Sequence, residues 1–158
     1  MNASAWVALA GVMAGSASAI FAGVQIAISR RHARTGFEDA LTAEYRRLVA
    51  EMPVEALLRR GITSAKVQEH LGVFYRYFDL CNEQAFLASE GRVRSATWEE
   101  WKDGIASNMH RPAFREAWFG HIAEEAVRLD VADHPVYDFN ELRELLAELN
   151  VRPKVTPE

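Results

Sequence analysis

The side chains best suited to chemistry gather in one stretch, Phe74 to Leu87, which reads FYRYFDLCNEQAFL. On a helix, positions three and four apart are neighbours, so Arg76, Asp79 and Glu83 share a face with Asn82 beside them. A guanidinium, two carboxylates and an amide in that pattern could line a pocket for a polar ligand or for a partner's side chain. They could equally form a clamp between helices, Arg76 with Asp79, or the acids with Arg111 or Arg115, because polar groups on a central helix must find partners. Both readings stand at this point. No acid and base pair with an adjoining substrate site can be named, so no residue is assigned as catalytic.

Other chemistry is sparse. Cys81 is the single cysteine and lies between Phe78 and Ala85 on an apolar stripe, where a cysteine behaves as a small hydrophobe rather than a reactive thiolate. The five histidines are His32, His70, His110, His121 and His134. A di-metal bundle asks for Glu-x-x-His on two helices, and that pattern does not occur. His121 and Glu124 could share a helix face, but one such pair is no metal site. Gly-x-Ser-x-Gly, phosphate-loop and dinucleotide fingerprints are also missing. No metal and no cofactor is expected.

The elements that must hold these residues read as helices, without sustained alternation of the strand kind. Phe37, Leu41, Tyr45, Leu48 and Met52 mark a first amphipathic helix. Pro53 opens a short one that Gly61 stops. From Thr63 or Ser64 a long helix runs to about Ser89, with Val67, Leu71, Phe74, Phe78, Cys81, Ala85 and Ala88 stepping by four and three; its broad apolar girth marks it as central. Thr97 with Glu100 makes a capping box for the next, whose inward face is Trp98, Trp101, Ile105 and Met109. Pro112 starts another, with Phe114, Trp118 and Ile122 inward. Asp138 and Glu141 cap a last helix carrying Leu142, Leu145, Leu146 and Leu149.

The N-terminal part is of another kind. Residues 1–29 contain no Asp, Glu, Lys, Arg or His, and all 18 basic and 22 acidic residues follow them. From Ala3 to Ser29 the run would make a helix of about 40 Å, against a bilayer core of about 30 Å that needs about 20 residues. A membrane anchor is expected here. A cleaved signal peptide, with Ser16–Ala19 as the cleavage site, is disfavoured by the missing basic n-region, and a buried hairpin helix by the absence of any face fit for water. Trp6 is placed as an interfacial anchor. Arg30, Arg31, His32 and Arg34 come directly after the run, and Lys and Arg excess stays cytoplasmic, so the expected topology is N-terminus outside and the rest in the cytoplasm. Arg30, Arg31 and Arg34 could also meet lipid headgroups. Gly11, Gly15, Ala19 and Gly23 fall at every fourth position and include a GxxxG. Such a ladder lets another membrane helix approach closely, although a run this rich in Ala and Gly places small residues so by chance as well.

The chain of 158 residues, 49% hydrophobic and 25% charged, has a net charge of −4. Past Arg34 it holds 15 basic and 22 acidic residues, a balance that repels nucleic-acid phosphate. The expected organisation is an anchor with its basic flank at 1–34, a helical domain at 35–150 and a frayed tail at 151–158. The expected fold is all-α: one transmembrane helix, then a cytoplasmic bundle of about five or six helices.

YRYFDLCNEQAFLASEGRV, TWEEWKDGI and RPAFREAW resemble a group of small bacterial single-pass membrane proteins with a cytoplasmic helical domain of unknown function. The resemblance covers residues 1–125 and rests on Tyr77 to Glu83 with Trp98, Trp101, Pro112 and Trp118. It implies the architecture and a bacterial inner membrane, and brings no catalytic residues. The expected function is that of a non-catalytic accessory or scaffold subunit whose partners are the lipid bilayer and another membrane helix, in a homo-oligomer or a larger complex. The alternative is a membrane-anchored sensor or enzyme with a pocket lined by Arg76, Asp79, Asn82 and Glu83.

Overall fold

The computed structural model describes residues 3–123, 130–131, 134–135 and 139–153, with side chains from residue 21 to 123 and from 139 to 153. The described residues are almost wholly helical. The helices are α1 (Ala3–Glu51), α2 (Val54–Leu57), α3 (Ser64–Glu69), α4 (Leu71–Ser89), α5 (Ser95–Met109) and α6 (Pro112–Ala117). A π-helical turn at Trp118–Ile122 follows α6, and α7 (Asn140–Glu148) comes last. Asp130–Val131 pairs antiparallel with His134–Pro135 in a two-residue ladder.

The chain divides into two compact units, residues 1–39 and 40–158. In the first, the side chains described begin at Phe21, and Phe21, Val24, Ile26 and Ile28 are all exposed, from 44% to 66%. Trp6, Gly11, Gly15 and Ala19 lie outside the residues whose side chains are described. At Gly23 an added Cβ would meet nothing within 4 Å. Among the described residues no helix is long and apolar enough to cross a membrane. From Phe21 only nine uncharged residues remain before Arg30, and most of the expected span at 3–29 lies outside the residues whose side chains are described.

In the second unit α4 is central, as its apolar girth predicts. Val73, Phe74, Tyr77, Phe78, Leu80, Cys81, Gln84, Ala85 and Leu87 are all buried. Around it α3, α5, α6 and α7 are packed. Aromatic rings make the centre: Phe114 meets Phe74 edge-on at 5.3 Å and Tyr77 at 5.0 Å, while Trp118 lies 4.9 Å from Phe78 and 5.6 Å from Phe139. Each such pair is worth about 0.5–1.5 kcal/mol beyond the area it buries. Leu41 and Leu48 bring the end of α1, and Met52 just after it, into the same core.

Two helix boundaries differ from the sequence expectation. The helix expected from Thr63 to Ser89 breaks at His70, whose φ of −104° and ψ of 15° leave the helical region. Its ring Nδ1 lies 3.1 Å from the Lys66 carbonyl, a local bond that competes with the helix, and Gly72 just beyond adds little helical preference. Thr63 still caps α3, its side chain accepting from the Lys66 N–H. The capping box at Thr97 and Glu100 does not set the start of α5, which begins three residues earlier with Arg94 at the cap and the Trp98 N–H bonded to its carbonyl.

Three helices end alike. After α2, α4 and α7 the chain turns through a left-handed residue, Arg59 at φ 56°, Gly91 at 65° and Asn150 at 54°. The next N–H then reaches back five positions, Arg60 to Glu55, Arg92 to Leu87 and Val151 to Leu146. This is the Schellman closure, with Gly and Asn at two sites and an arginine at the third.

Candidate functional site

The four residues singled out on α4 do not converge. The Arg76 guanidinium pairs with Glu51 near the end of α1, and its Nε lies 3.4 Å from the Gly72 carbonyl. That bond holds the Glu51 carboxyl below its ordinary value. Asn82 Oδ1 accepts from the backbone N–H of Leu142 at 3.0 Å. Asp79 and Glu83 are exposed and take no ion pair or hydrogen bond among the described residues. The expected clamp partners are engaged elsewhere: Arg111 lies over the Phe114 ring at 5.9 Å, and Arg115 donates to the Arg152 carbonyl and lies 5.4 Å from the Phe119 ring. Among the described residues, what these four groups make is one surface ion pair and one helix cap.

The buried polar groups of α4 lie on its other side. Asn108 Nδ2 donates to the Tyr77 hydroxyl at 2.8 Å inside the core. Cys81 is buried and free; burial pushes its thiol up to about 12, the Tyr77 hydroxyl partly offsetting this. A thiol so shielded is no nucleophile at neutral pH, in line with its place on the stripe. Burial likewise raises the Tyr77 phenol well above its ordinary value.

A cluster that sequence reasoning missed lies on the π-helical turn. The turn brings His121 Nε2 to 3.9 Å from Glu116 Oε1, and the same oxygen accepts from the Ser64 hydroxyl of α3. A helical spacing of five residues puts two side chains side by side only when the turn widens to the π form, and no periodicity announces it. Gly120 leaves room: a Cβ there would come within 3.4 Å of the Glu116 carboxyl. The order of groups is wrong for nucleophilic catalysis, since the serine donates to the carboxylate and not to the imidazole. Glu124, the expected partner of His121, lies outside the described residues. Among the described residues no three His, Cys, Asp or Glu side chains gather as a metal site.

Among the described residues a groove of about 380 Å³ lies between α4, α5 and α7. Its floor is Ala85, Ala88 and Leu145; Trp98 and Ser89 stand at its side; Glu141, Glu144 and Glu148 form one wall. None of Arg76, Asp79, Asn82 or Glu83 lines it. Its depth comes from the alanines that α4 carries where larger residues would fill the space. Its acidic wall comes from three glutamates spaced three and four apart on α7, which share one face.

Of the other residues marked in the sequence, Arg30 and Arg31 are exposed on α1, and Arg34 Nε lies 3.9 Å from Glu38. Trp98 and Trp101 are half-buried, whereas Trp118 is 2% exposed. No protein family, curated protein or solved structure matches the chain.

Proposed function

We propose that this chain is a membrane-anchored helical interaction protein, a non-catalytic accessory or scaffold subunit. Residues 1–29 insert in the bilayer, and the helical body faces the cytoplasm. The observation that carries the reading is the segregation of charge: no ionisable side chain in 29 residues, then Arg30, Arg31 and Arg34 at once. The exposure of Phe21, Val24, Ile26 and Ile28 supports it, because a helix that shows apolar groups all round is one that lipid or protein covers. Open space at Gly23 supports a second helix docking along Gly11, Gly15, Ala19 and Gly23. The body adds no nucleophile with a base, no metal cluster and no gathered acid–base pair among its described residues, which favours binding over chemistry.

Topology is tested by cysteine labelling in intact bacterial cells. Cys81 is buried with its thiol proton firmly held, so the wild-type chain gives a low background. Asn2→Cys labels with an impermeant maleimide added outside, and Asp39→Cys labels only after the cells are opened. Labelling of Asp39→Cys from outside overturns the orientation.

A further inference from the structure

We propose that the helical body associates head to tail with a second copy of this chain, the α2 corner of one copy seating in the α4–α5–α7 groove of the next. The corner is apolar and basic. Val54 and Leu58, one helical turn apart, are 58% and 53% exposed, and Arg59 and Arg60 follow them. Within the chain Glu55 is taken by Lys66 at 2.7 Å, and Arg59 makes one long bond, 3.4 Å, to the Ser107 hydroxyl. Arg60 is exposed, with no side-chain bond among the described residues. Two arginines thus flank two solvent-facing aliphatic side chains.

The groove has the opposite character in the matching arrangement. An apolar floor of Ala85, Ala88 and Leu145 lies beside a wall of Glu141, Glu144 and Glu148. Glu141 and Glu144 have no ion pair or hydrogen bond among the described residues, so their charges are unspent. Trp98 offers a ring face on which a guanidinium can stack. A groove of about 380 Å³ is large enough for side chains to enter rather than lie across it. Within one body α2 packs on α6, and Arg59 meets α5 at Ser107, nine residues or about 13 Å along that helix from Trp98 of the groove; neither Val54 nor Leu58 lines the groove. Leu58 on the floor and Arg60 against the glutamates would satisfy both patches at once, and a contact between two unlike patches propagates from copy to copy rather than closing as a dimer.

The test is a charge-reversal exchange on the full chain in detergent, read by sedimentation. Arg60→Glu and Glu144→Arg change two exposed residues, and unchanged circular dichroism verifies that each variant folds. The wild type should form species beyond the dimer that weaken as salt is raised. Each variant alone should associate at least about tenfold more weakly, as expected when like charges meet at an interface. Mixing the two variants should restore association, since every junction then pairs opposite charges. The proposal is overturned if the wild type forms nothing beyond a dimer, if either variant associates as the wild type does, or if the mixture does not recover.

Discussion

Asn82 on α4 accepts, through its side-chain oxygen, the backbone N–H of Leu142 in the first turn of α7, at 3.0 Å and across 60 residues of chain. The first N–H groups of a helix have no partner inside it. Here the cap comes from the helix that α7 packs against, because the residue at its own cap position, Phe139, is left-handed and makes no side-chain bond to the helix. One amide therefore both starts α7 and fixes its register on α4. That register sets the wall of the groove.

Removing this cap should loosen α7 before anything else. Asn82→Ala is expected to cost about 1 kcal/mol in urea unfolding, with amide exchange at Leu142 faster than in α4. Asn82→Asp keeps the acceptor and should behave as wild type or better. Equal exchange in Asn82→Ala and wild type would deny the cap its role.

The left-handed corners give a prediction of opposite signs. Arg59 holds at φ 56° a conformation that costs an ordinary residue about 1–2 kcal/mol. Arg59→Gly removes that strain, less the entropy that glycine adds to the unfolded chain. The variant should gain up to about 1 kcal/mol by denaturant titration. Gly91→Ala, at φ 65° with nothing within 4 Å of its Cβ, should lose about 1 kcal/mol or more from strain alone, since no clash contributes.

The buried bond from Asn108 to Tyr77 should be costly to halve. Asn108→Ala leaves the phenol oxygen without its donor in the core, an expected loss of about 1–3 kcal/mol. Tyr77→Phe strands the amide in the same way. In a double-mutant cycle the pair of substitutions should cost less than the two single costs added. Strict additivity would mean the bond contributes nothing.

The raised Cys81 thiol makes a prediction about pH. In the folded chain it holds its proton from its ordinary value near 9 up to about 12. Above pH 9 the unfolded chain releases this proton while the folded chain keeps it, so the unfolded state binds fewer protons and stability falls as pH rises. The Tyr77 phenol, raised above 10 by burial, steepens the fall at the upper end of that window. Melting temperatures measured from pH 8 to 11.5 should be level at first and then decline, and Cys81→Ala should decline less than wild type. Parallel curves would show that Cys81 titrates alike in both states.

The sequence carries the core plainly. Val67, Phe74, Phe78, Cys81 and Ala85 recur at the helical period and are buried where that period puts them, because burial acts on each residue through its own polarity. The polar face of α4 was legible only as a set of groups in need of partners. Their partners are remote in sequence: Glu51 is 25 residues before Arg76, and Leu142 is 60 after Asn82. Helical spacing brings Arg76 close to Asp79, and nothing local says that Glu51 wins. The break at His70 turns on a ring nitrogen reaching the Lys66 carbonyl, a choice between two local bonds of similar strength. The groove was invisible for a further reason: it is the space left by Ala85 and Ala88 once α5 and α7 are in place.

Flotation measures whether residues 1–29 hold this body to a bilayer, as proposed. The full chain, reconstituted with liposomes, is washed with high salt and 4 M urea (a wash chosen to strip surface-bound protein) and spun through a density gradient. The chain should rise with the lipid after both washes, and a chain with Ile20 and Val24 changed to Asp should stay at the bottom. Release of the wild-type chain by salt or urea would rule out a membrane-inserted anchor, since electrostatic or surface contact would then suffice for its binding.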